Sequence, residues 1–529
     1  MPRFIVDGVE YEAEEGRTLL QALDDAGVLM GDVEIPHYCW HPKLSIDGSC
    51  RLCQVEVEGV PKLQIACDTR VRDGMIVHTK NERVRTAREG VMELLLVNHP
   101  LDCPICDQAG ECKLQDYAYD YGLAETRSRE PRRALAKNVE LGPEIVFDQE
   151  RCILCRRCVR FCREVPETGE LCVSDRGDRS TIETFPDAPL DNDYSMNVAD
   201  ICPVGALTTK DFRFKIRTWF LEEVEGICTG CAKGCNVYMG AAHNKVYRYV
   251  PRRNDEVNDT WLCDSGRLSY KRIAAPDRVQ QPLVRGELGV PESCSVDDAI
   301  AVAAARLRAL VDQKGAGVVA GIVSGHASNE DLFSFRRLLD ALGTQSAGVA
   351  VVEGESDDLL REAEQAANGA GARALGFVDA ATVAERIRNG GVDAVISLGH
   401  GILDPRYLGG TDALASLDTV IVLDAHVSAL ERVAHVLLPA RVAAEKYATF
   451  TNHAGRVQRV SPALEPGFEA HPEGALLARL GVAMGLEGFT ADWNAREVSR
   501  TLAATLPAFA GCDWEGVGAQ GRALAEPGV

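Results

Sequence analysis

No part of this sequence strings together the roughly 18 apolar residues that a membrane-spanning helix requires. The chain is therefore expected to stay in the cytosol or to reach a membrane only through a partner. The opening MPRFIVDGVEYEAEEG is acidic and alternating, which reads as a strand pair and not as a secretory signal. Positive charge is short: 57 Lys and Arg against 79 Asp and Glu give a net charge of −22. That balance excludes general nucleic-acid binding and suits docking to basic surfaces. There is no G-x-G-x-x-G after a strand and no Walker A motif; GAGARALG at 369–376 lies in an Ala-rich stretch and fits neither. No Ser-His-Asp arrangement stands out, so any NAD or flavin belongs to other chains. Cysteine is nearly missing from the back half, where only Cys294 and Cys512 follow Cys263.

The front is the opposite. Seventeen of the 19 cysteines fall between Cys39 and Cys263. In a reducing compartment, clustered cysteines point to metal or redox chemistry, not to disulfides. With 529 residues and 46% apolar content the chain is soluble-like and too long for one core; roughly three to five domains are expected. The change in cysteine density marks the first boundary.

Residues 3–27 read as a hairpin turning at Asp7-Gly8, then a helix capped by Thr18, striped by Leu19, Leu20 and Leu23, and ended by Gly27. Cys39, Cys50, Cys53 and Cys67 follow as C-x10-C-x2-C-x13-C, the layout of plant-type ferredoxins with a longer first gap. Residues 83–97 read as a helix leading into HPLDCPICDQAGEC, which carries His99, Cys103, Cys106 and Cys112. Residues 125–140 read as a connector. CILCRRC gives Cys152, Cys155 and Cys158, and Cys202 follows in ICPVGAL, as in one half of a bacterial ferredoxin. The fourth set is Cys228, Cys231, Cys235 and Cys263, with the strand-like NVYMGAAHNKVYRYVPR between the last two. From about residue 276, SVDDAIAVAAARLRALVDQ reads as an amphipathic helix. GAGVVAGIVSG, VDAVISLG and LDTVIVLDA read as strands of a mostly parallel sheet, and Ala-rich helices dominate the tail.

Thiolates are soft ligands that suit iron–sulfur clusters, and short C-x2-C loops leave backbone N–H groups free to point at sulfur. Each set also suits a structural zinc site, so zinc stays the competing reading at this level. The second loop has three cysteines and no unassigned cysteine nearby, which makes His99 the candidate fourth ligand; its alternative is an ordinary surface or capping histidine. An imidazole in place of a thiolate removes one negative charge, which raises a cluster's potential. Cys162, Cys172, Cys294 and Cys512 are left over and read as core or surface thiols.

HPLDCPICDQAGECKLQDYAYDYG, CILCRRCVRFC and ICPVGALT resemble the large, 75 kDa-type iron–sulfur subunits of NADH:quinone oxidoreductase, respiratory complex I. The resemblance covers at least residues 1–275. It implies one [2Fe–2S] cluster on Cys39, Cys50, Cys53 and Cys67. It implies [4Fe–4S] clusters on His99, Cys103, Cys106 and Cys112, and on Cys152, Cys155, Cys158 and Cys202. The set Cys228, Cys231, Cys235 and Cys263 implies a third [4Fe–4S] cluster, which only part of the family has and which lies off the main electron path. LLPARVAAEKYATFTNHAGRVQ resembles the molybdopterin oxidoreductases. Only 266 residues follow Cys263, too few for a full cofactor cradle, and no cysteine lies between 294 and 512 to bind molybdenum. The back half is therefore expected to be vestigial and structural, without molybdopterin.

The resemblance implies a multi-domain α+β and α/β chain. Its parts are a plant-type ferredoxin-like domain (1–80), a His/Cys3 domain (81–140), a bacterial-ferredoxin-like domain (141–218), a molybdopterin-oxidoreductase-type cluster domain (219–275) and a shortened α/β region (276–529). The implied role is electron transfer from a flavin- and NADH-binding subunit toward quinone, with no substrate site in this chain. The implied partners are that subunit, other peripheral-arm iron–sulfur subunits and, indirectly, a membrane arm. The implied place is the cytoplasmic side of the cell membrane, held peripherally. The competing reading is an iron–sulfur subunit of a soluble NAD-linked formate dehydrogenase or hydrogenase.

Overall fold

The computed structural model describes residues 1–286 and 289–525, and the chain divides into two compact units, 1–221 and 222–529. Among the described residues no helix is long and apolar enough to cross a membrane.

The first unit begins with strands Arg3–Val6 and Val9–Glu12, paired antiparallel with Val6 opposite Val9. Asp7 and Gly8 make the two-residue turn, both at positive φ (50° and 91°), the backbone that a tight hairpin demands. Helix Leu19–Asp25 starts in a capping box between Thr18 and Gln21, and Gly27 beyond its end takes φ +70°. Its buried face of Leu19, Leu20 and Leu23 packs with Phe4, Val55 and Val77 against a five-stranded sheet. In that sheet Arg3–Val6 runs parallel to Met75–His78, which pairs antiparallel with Gln54–Val57. The expected helix at 83–97 is Glu82–Leu96, capped by Asn81. The expected connector carries no helix or strand until Val139–Glu140. Helix Arg157–Glu164 and the small sheet of Val139–Glu140, Ile145–Phe147 and Leu207–Thr209 complete the unit's last third.

The second unit is built on an eight-stranded sheet. Six neighbouring strands run parallel: Val436–Pro439, Thr419–Asp424, Ala394–Leu398, Val319–Ser324, Ala347–Ala350 and Val378–Asp379. Leu283–Arg285 and Pro291–Ser293 add an antiparallel edge. The parallel strands are apolar on both faces. Val319, Ile396 and Leu423 join one core with the helices Val296–Lys314, Asn329–Leu342 and Glu473–Met484, while Ala320, Val395 and Val422 join another beside helix Ala380–Arg388. This is the two-faced burial of a parallel α/β sheet. The tail is less helical than its Ala content suggests. Strands Ala448–Thr451 and Arg456–Val460 form a hairpin whose buried positions include Thr449, Thr451 and Gln458. Polar side chains on the inner face hide the alternation that usually reveals a strand.

That hairpin also anchors the segment 222–275. Gln458 Nε2 donates to Gly234 O at 2.9 Å, His453 N donates to Ala232 O at 2.8 Å, and Asn236 Nδ2 donates to Gln458 Oε1. The stretch read as a family signature is thus a buried polar scaffold. Arg278 holds Glu445 with two bonds at 2.9 and 2.8 Å, and Lys446 Nζ lies 2.7 Å from Asp331 and 2.5 Å from Glu473.

Candidate metal centres

In the first set, Cys39, Cys53 and Cys67 are buried against the sheet core. Cys39 lies within hydrogen-bonding reach of the Cys50 and Cys67 thiols, and these bonds hold it well below the usual thiol range. Cys53 is lowered in the same way by Cys67. Backbone N–H groups of Ser49, Cys50 and Leu52 point at these sulfurs. Arg51 takes φ +58°, which lets the short C-x2-C turn present its amides inward.

The third set rings a small enclosed cavity. Cys152, Cys155, Cys158 and Cys202 line it together with Phe147, Ile182, Val204 and Leu207. Leu154 and Arg156 both take left-handed backbone (φ 52° and 57°), curling the loop so that Leu154 N reaches Cys152 Sγ at 3.4 Å. Burial pushes every thiol here upward, Cys202 to about 12. Four thiols in a dry pocket resist becoming thiolates unless a cation sits among them. The donor chemistry therefore fits a multiply charged iron–sulfur group.

In the second set, Cys103 begins a single 3-10 turn with Pro104, and Cys112 precedes helix Lys113–Tyr121. Arg217 pins the loop by donating to Cys106 O and Cys103 O, both at 3.0 Å. Burial, then the Arg151 charge, push His99 down to about 4, so its ring is neutral at pH 7. Among the described residues its Nδ1 is buried with no hydrogen-bond partner. A neutral, orphaned ring nitrogen is what an imidazole ligand offers before its metal is counted. Cys106 and Cys112 are also raised by burial, Cys112 to about 11.

In the fourth set, Cys228 N donates to Cys235 O at 2.7 Å, closing the loop after strand Glu222–Ile227. Gly230 N points at Cys228 Sγ (3.4 Å) and Gly266 N at Cys263 Sγ (3.3 Å). A Cβ on Gly266 would stand 3.0 Å from the Cys263 sulfur and 3.1 Å from that of Cys228, so only glycine leaves this cradle open. Burial pushes Cys228 up to about 12. Among the described residues no group of three or more His, Cys, Asp or Glu side chains is arranged to hold a single metal ion.

The first three sets adjoin one another out of chain order. The Cys39 and Cys155 carbonyls accept from one guanidinium, that of Arg160. Cys112 Sγ lies 3.9 Å from Pro203 O, and Gly205 abuts the Cys106 sulfur, so the turn after Cys202 touches the second set. The first and second sets also meet across Tyr38, which adjoins Cys39 and whose hydroxyl donates to Lys113 O at 3.4 Å, so the three sets form one compact group. Of the remaining cysteines, Cys162 and Cys512 are buried core thiols, and Cys172 and Cys294 are half-buried. Of the arginines at these centres, Arg157 and Arg160 have a sequence signal, the basic residues interleaved with thiols in CRRCVRFC, whereas Arg151 and Arg217 have none.

Fold and donor sets together define a multi-centre iron–sulfur protein joined to a molybdopterin-oxidoreductase-type α/β region. Residues 2–82 match the family described as 2Fe-2S iron-sulfur cluster binding domain, and 88–127 match the NADH-ubiquinone oxidoreductase-G iron-sulfur binding region. Residues 142–208 match the NADH-quinone oxidoreductase subunit 3 ferredoxin-like domain, 221–271 the NDSU1/NuoG-like 4Fe-4S domain, and 345–481 the molybdopterin oxidoreductases. The NADH-quinone oxidoreductase G-type subunit of Rickettsia conorii is 38% identical over 361 residues, 68% of this chain and 52% of that protein. The mitochondrial NADH-ubiquinone oxidoreductase 78 kDa subunit of Candida albicans is 39% identical over 343 residues, 64% of this chain and 46% of that protein. A chain of an NAD+-reducing [NiFe]-hydrogenase in its H2-reduced state aligns at 30% identity over 41% of this chain and 91% of its own, with a TM-score of 0.36. The chain belongs to the family of large iron–sulfur subunits of NADH-quinone oxidoreductase. It spans about half the length of the curated relatives it matches.

Proposed function

We propose that this chain carries single electrons within an NADH-quinone oxidoreductase, between a flavin-bearing subunit and the quinone-reducing part. Cys39, Cys50, Cys53 and Cys67 would hold a [2Fe–2S] group. His99 with Cys103, Cys106 and Cys112 would hold a [4Fe–4S] group, as would Cys152, Cys155, Cys158 and Cys202, and Cys228, Cys231, Cys235 and Cys263. When bound, such groups accept and release one electron with little rearrangement. The protein supplies thiolates in water-poor pockets, a neutral imidazole and backbone N–H groups aimed at sulfur, which set the potential. The observation that carries this reading is the contiguity of the first three sets. We infer a relay among these three. The fourth set is anchored on the hairpin 448–460, outside that series, and fits a stabilising role. We infer no molybdopterin in the α/β region, whose signature residues Glu445 and Lys446 are engaged by Arg278, Asp331 and Glu473. The chain would sit at the cytoplasmic face of the membrane, held by partner subunits.

Metal analysis and electron paramagnetic resonance of the anaerobically purified chain test this. Roughly fourteen irons per chain, no molybdenum, and signals of both cluster types are expected, taking two irons for the smaller group and four for each larger one. Colourless protein holding zinc would overturn it. Co-purification with a hydrogenase or formate dehydrogenase catalytic subunit, without membrane subunits, would overturn the assignment to a quinone reductase alone.

A further inference from the structure

Helix Arg157–Glu164 carries two guanidiniums that reach across from the third donor set to the first. Arg160 is buried and donates to Cys39 O and Ser45 O in the loop of the first set, and to Cys155 O at 3.5 Å in the third. Arg157 does the same one turn earlier on the helix: it donates to Trp40 O, next to Cys39, and at 3.2 Å to Ile201 O, next to Cys202. Every one of these acceptors is a neutral carbonyl. Among the described residues neither arginine forms an ion pair with a carboxylate, and the Nε of each is buried without a partner.

Arg160 is buried and Arg157 half-buried, and among the described residues no carboxylate bonds to either; the Glu164 carboxylate, held by Ser45 and Arg163, feels the Arg160 charge from a distance, and cations so placed are costly without a nearer negative partner. Both arginines lie beside cysteine ligands: burial pulls Arg157 below the usual guanidinium range, the charges of Cys155, Cys39 and Cys50 oppose that, and the like charge of Arg160 adds to it. Four thiolates around a small iron–sulfur core carry net negative charge that grows by one on reduction. For Arg157 the counter-charge would come from the two centres themselves, and for Arg160 from those centres together with Glu164. A fixed cation near a centre favours its reduced form, because reduction adds negative charge next to it.

We propose that Arg157 and Arg160 form a two-guanidinium clamp shared by the first and third centres, fixing their spacing and raising the electron affinity of both. This rests on the ligand assignment above. The clamp makes the two potentials rise or fall together, because one helix supplies both charges. Both arginines are positioning residues: they act through loops and field, not as ligands.

The test is anaerobic potentiometric titration, read by electron paramagnetic resonance, of the full chain in its native complex as wild type, R160Q, R157Q and R160K. Each glutamine variant should keep its iron and lower the reduction equilibrium constant of both the [2Fe–2S] centre and the [4Fe–4S] centre of Cys152, Cys155, Cys158 and Cys202. The expected drop is about tenfold, or ~59 mV for one electron. R160K keeps the charge and should hold both reduction constants within about threefold of wild type. Iron-replete glutamine variants with either midpoint unmoved overturn the proposal, as does R160K falling as far as R160Q. If R160Q loses iron, R157Q carries the same expectation; loss of iron from all three, lysine included, shows a purely structural role and overturns it. A wild type lacking either signal refutes the ligand assignment itself, before any variant is made.

Discussion

Gly205 presses against the sulfur of Cys106: a Cβ built on this glycine falls far inside contact distance of that atom. Gly205 stands three residues after Cys202, in the third donor set, while Cys106 belongs to the second. The close approach of the two sets therefore depends on a missing side chain. Gly205→Ala should displace Cys106 and lose the second centre, lowering iron by about four of roughly fourteen. Iron analysis and the loss of one [4Fe–4S] resonance check it; a full complement of signals would show that the turn yields freely.

His99 gives a second expectation. Its ring is neutral and its buried Nδ1 lacks a protein partner. His99→Cys should keep iron while lowering that centre's reduction constant, because a thiolate adds a negative charge. His99→Ala should alter or abolish the same resonance. Spectra identical to wild type in the alanine variant would remove His99 from the ligand set.

The second unit makes a pH-dependent prediction. Burial raises Glu330 to about 7, above the 4.5 of a free side chain, while its carboxylate accepts from Thr449 N (2.9 Å) and Thr449 Oγ1 (2.7 Å). A raised folded value means that the folded state holds the proton more tightly. The associated stability is fully present below about pH 4.5 and is lost as pH rises through about 7, up to about 3 kcal/mol in all. Glu330→Gln should therefore be neutral near pH 5 and stabilising near pH 8, read as the shift in unfolding midpoint at the two pH values. Equal shifts at both would assign the effect to shape alone.

Lys446 joins Asp331 and Glu473 in the same buried scaffold. Lys446→Met leaves two acidic groups without their cation and should cost about 3–5 kcal/mol in denaturant titrations. The clusters of the first unit should be untouched, which iron content verifies.

Much of this is readable from the sequence, for reasons that are local. Asp7-Gly8 and Thr18 announce a turn and a cap because their chemistry acts within a few residues. Helix Val296–Lys314 lies where the amphipathic stretch predicts it, with Ser295 as its cap. The four candidate donor sets stand out because most of their members are close in sequence. What stays hidden is what joins distant segments. Nothing local reveals that Arg160 reaches Cys39, 121 residues away, or that the turn after Cys202 touches the second set. The hairpin 448–460 does not read as strands because its inner face is polar, and its threonines and Gln458 find partners more than 80 residues away.

The bonds from Gln458 and His453 to the loop of the fourth set also say where this chain can be divided. Cysteine spacing suggests a cut near residue 275, behind the last cluster motif. Such a fragment would strip Gly234, Asn236 and Ala232 of the groups that satisfy them, and its last centre would open to solvent. A cut after residue 221 keeps that loop and its hairpin together, so a fragment ending there would carry the first three candidate donor sets with their surroundings intact.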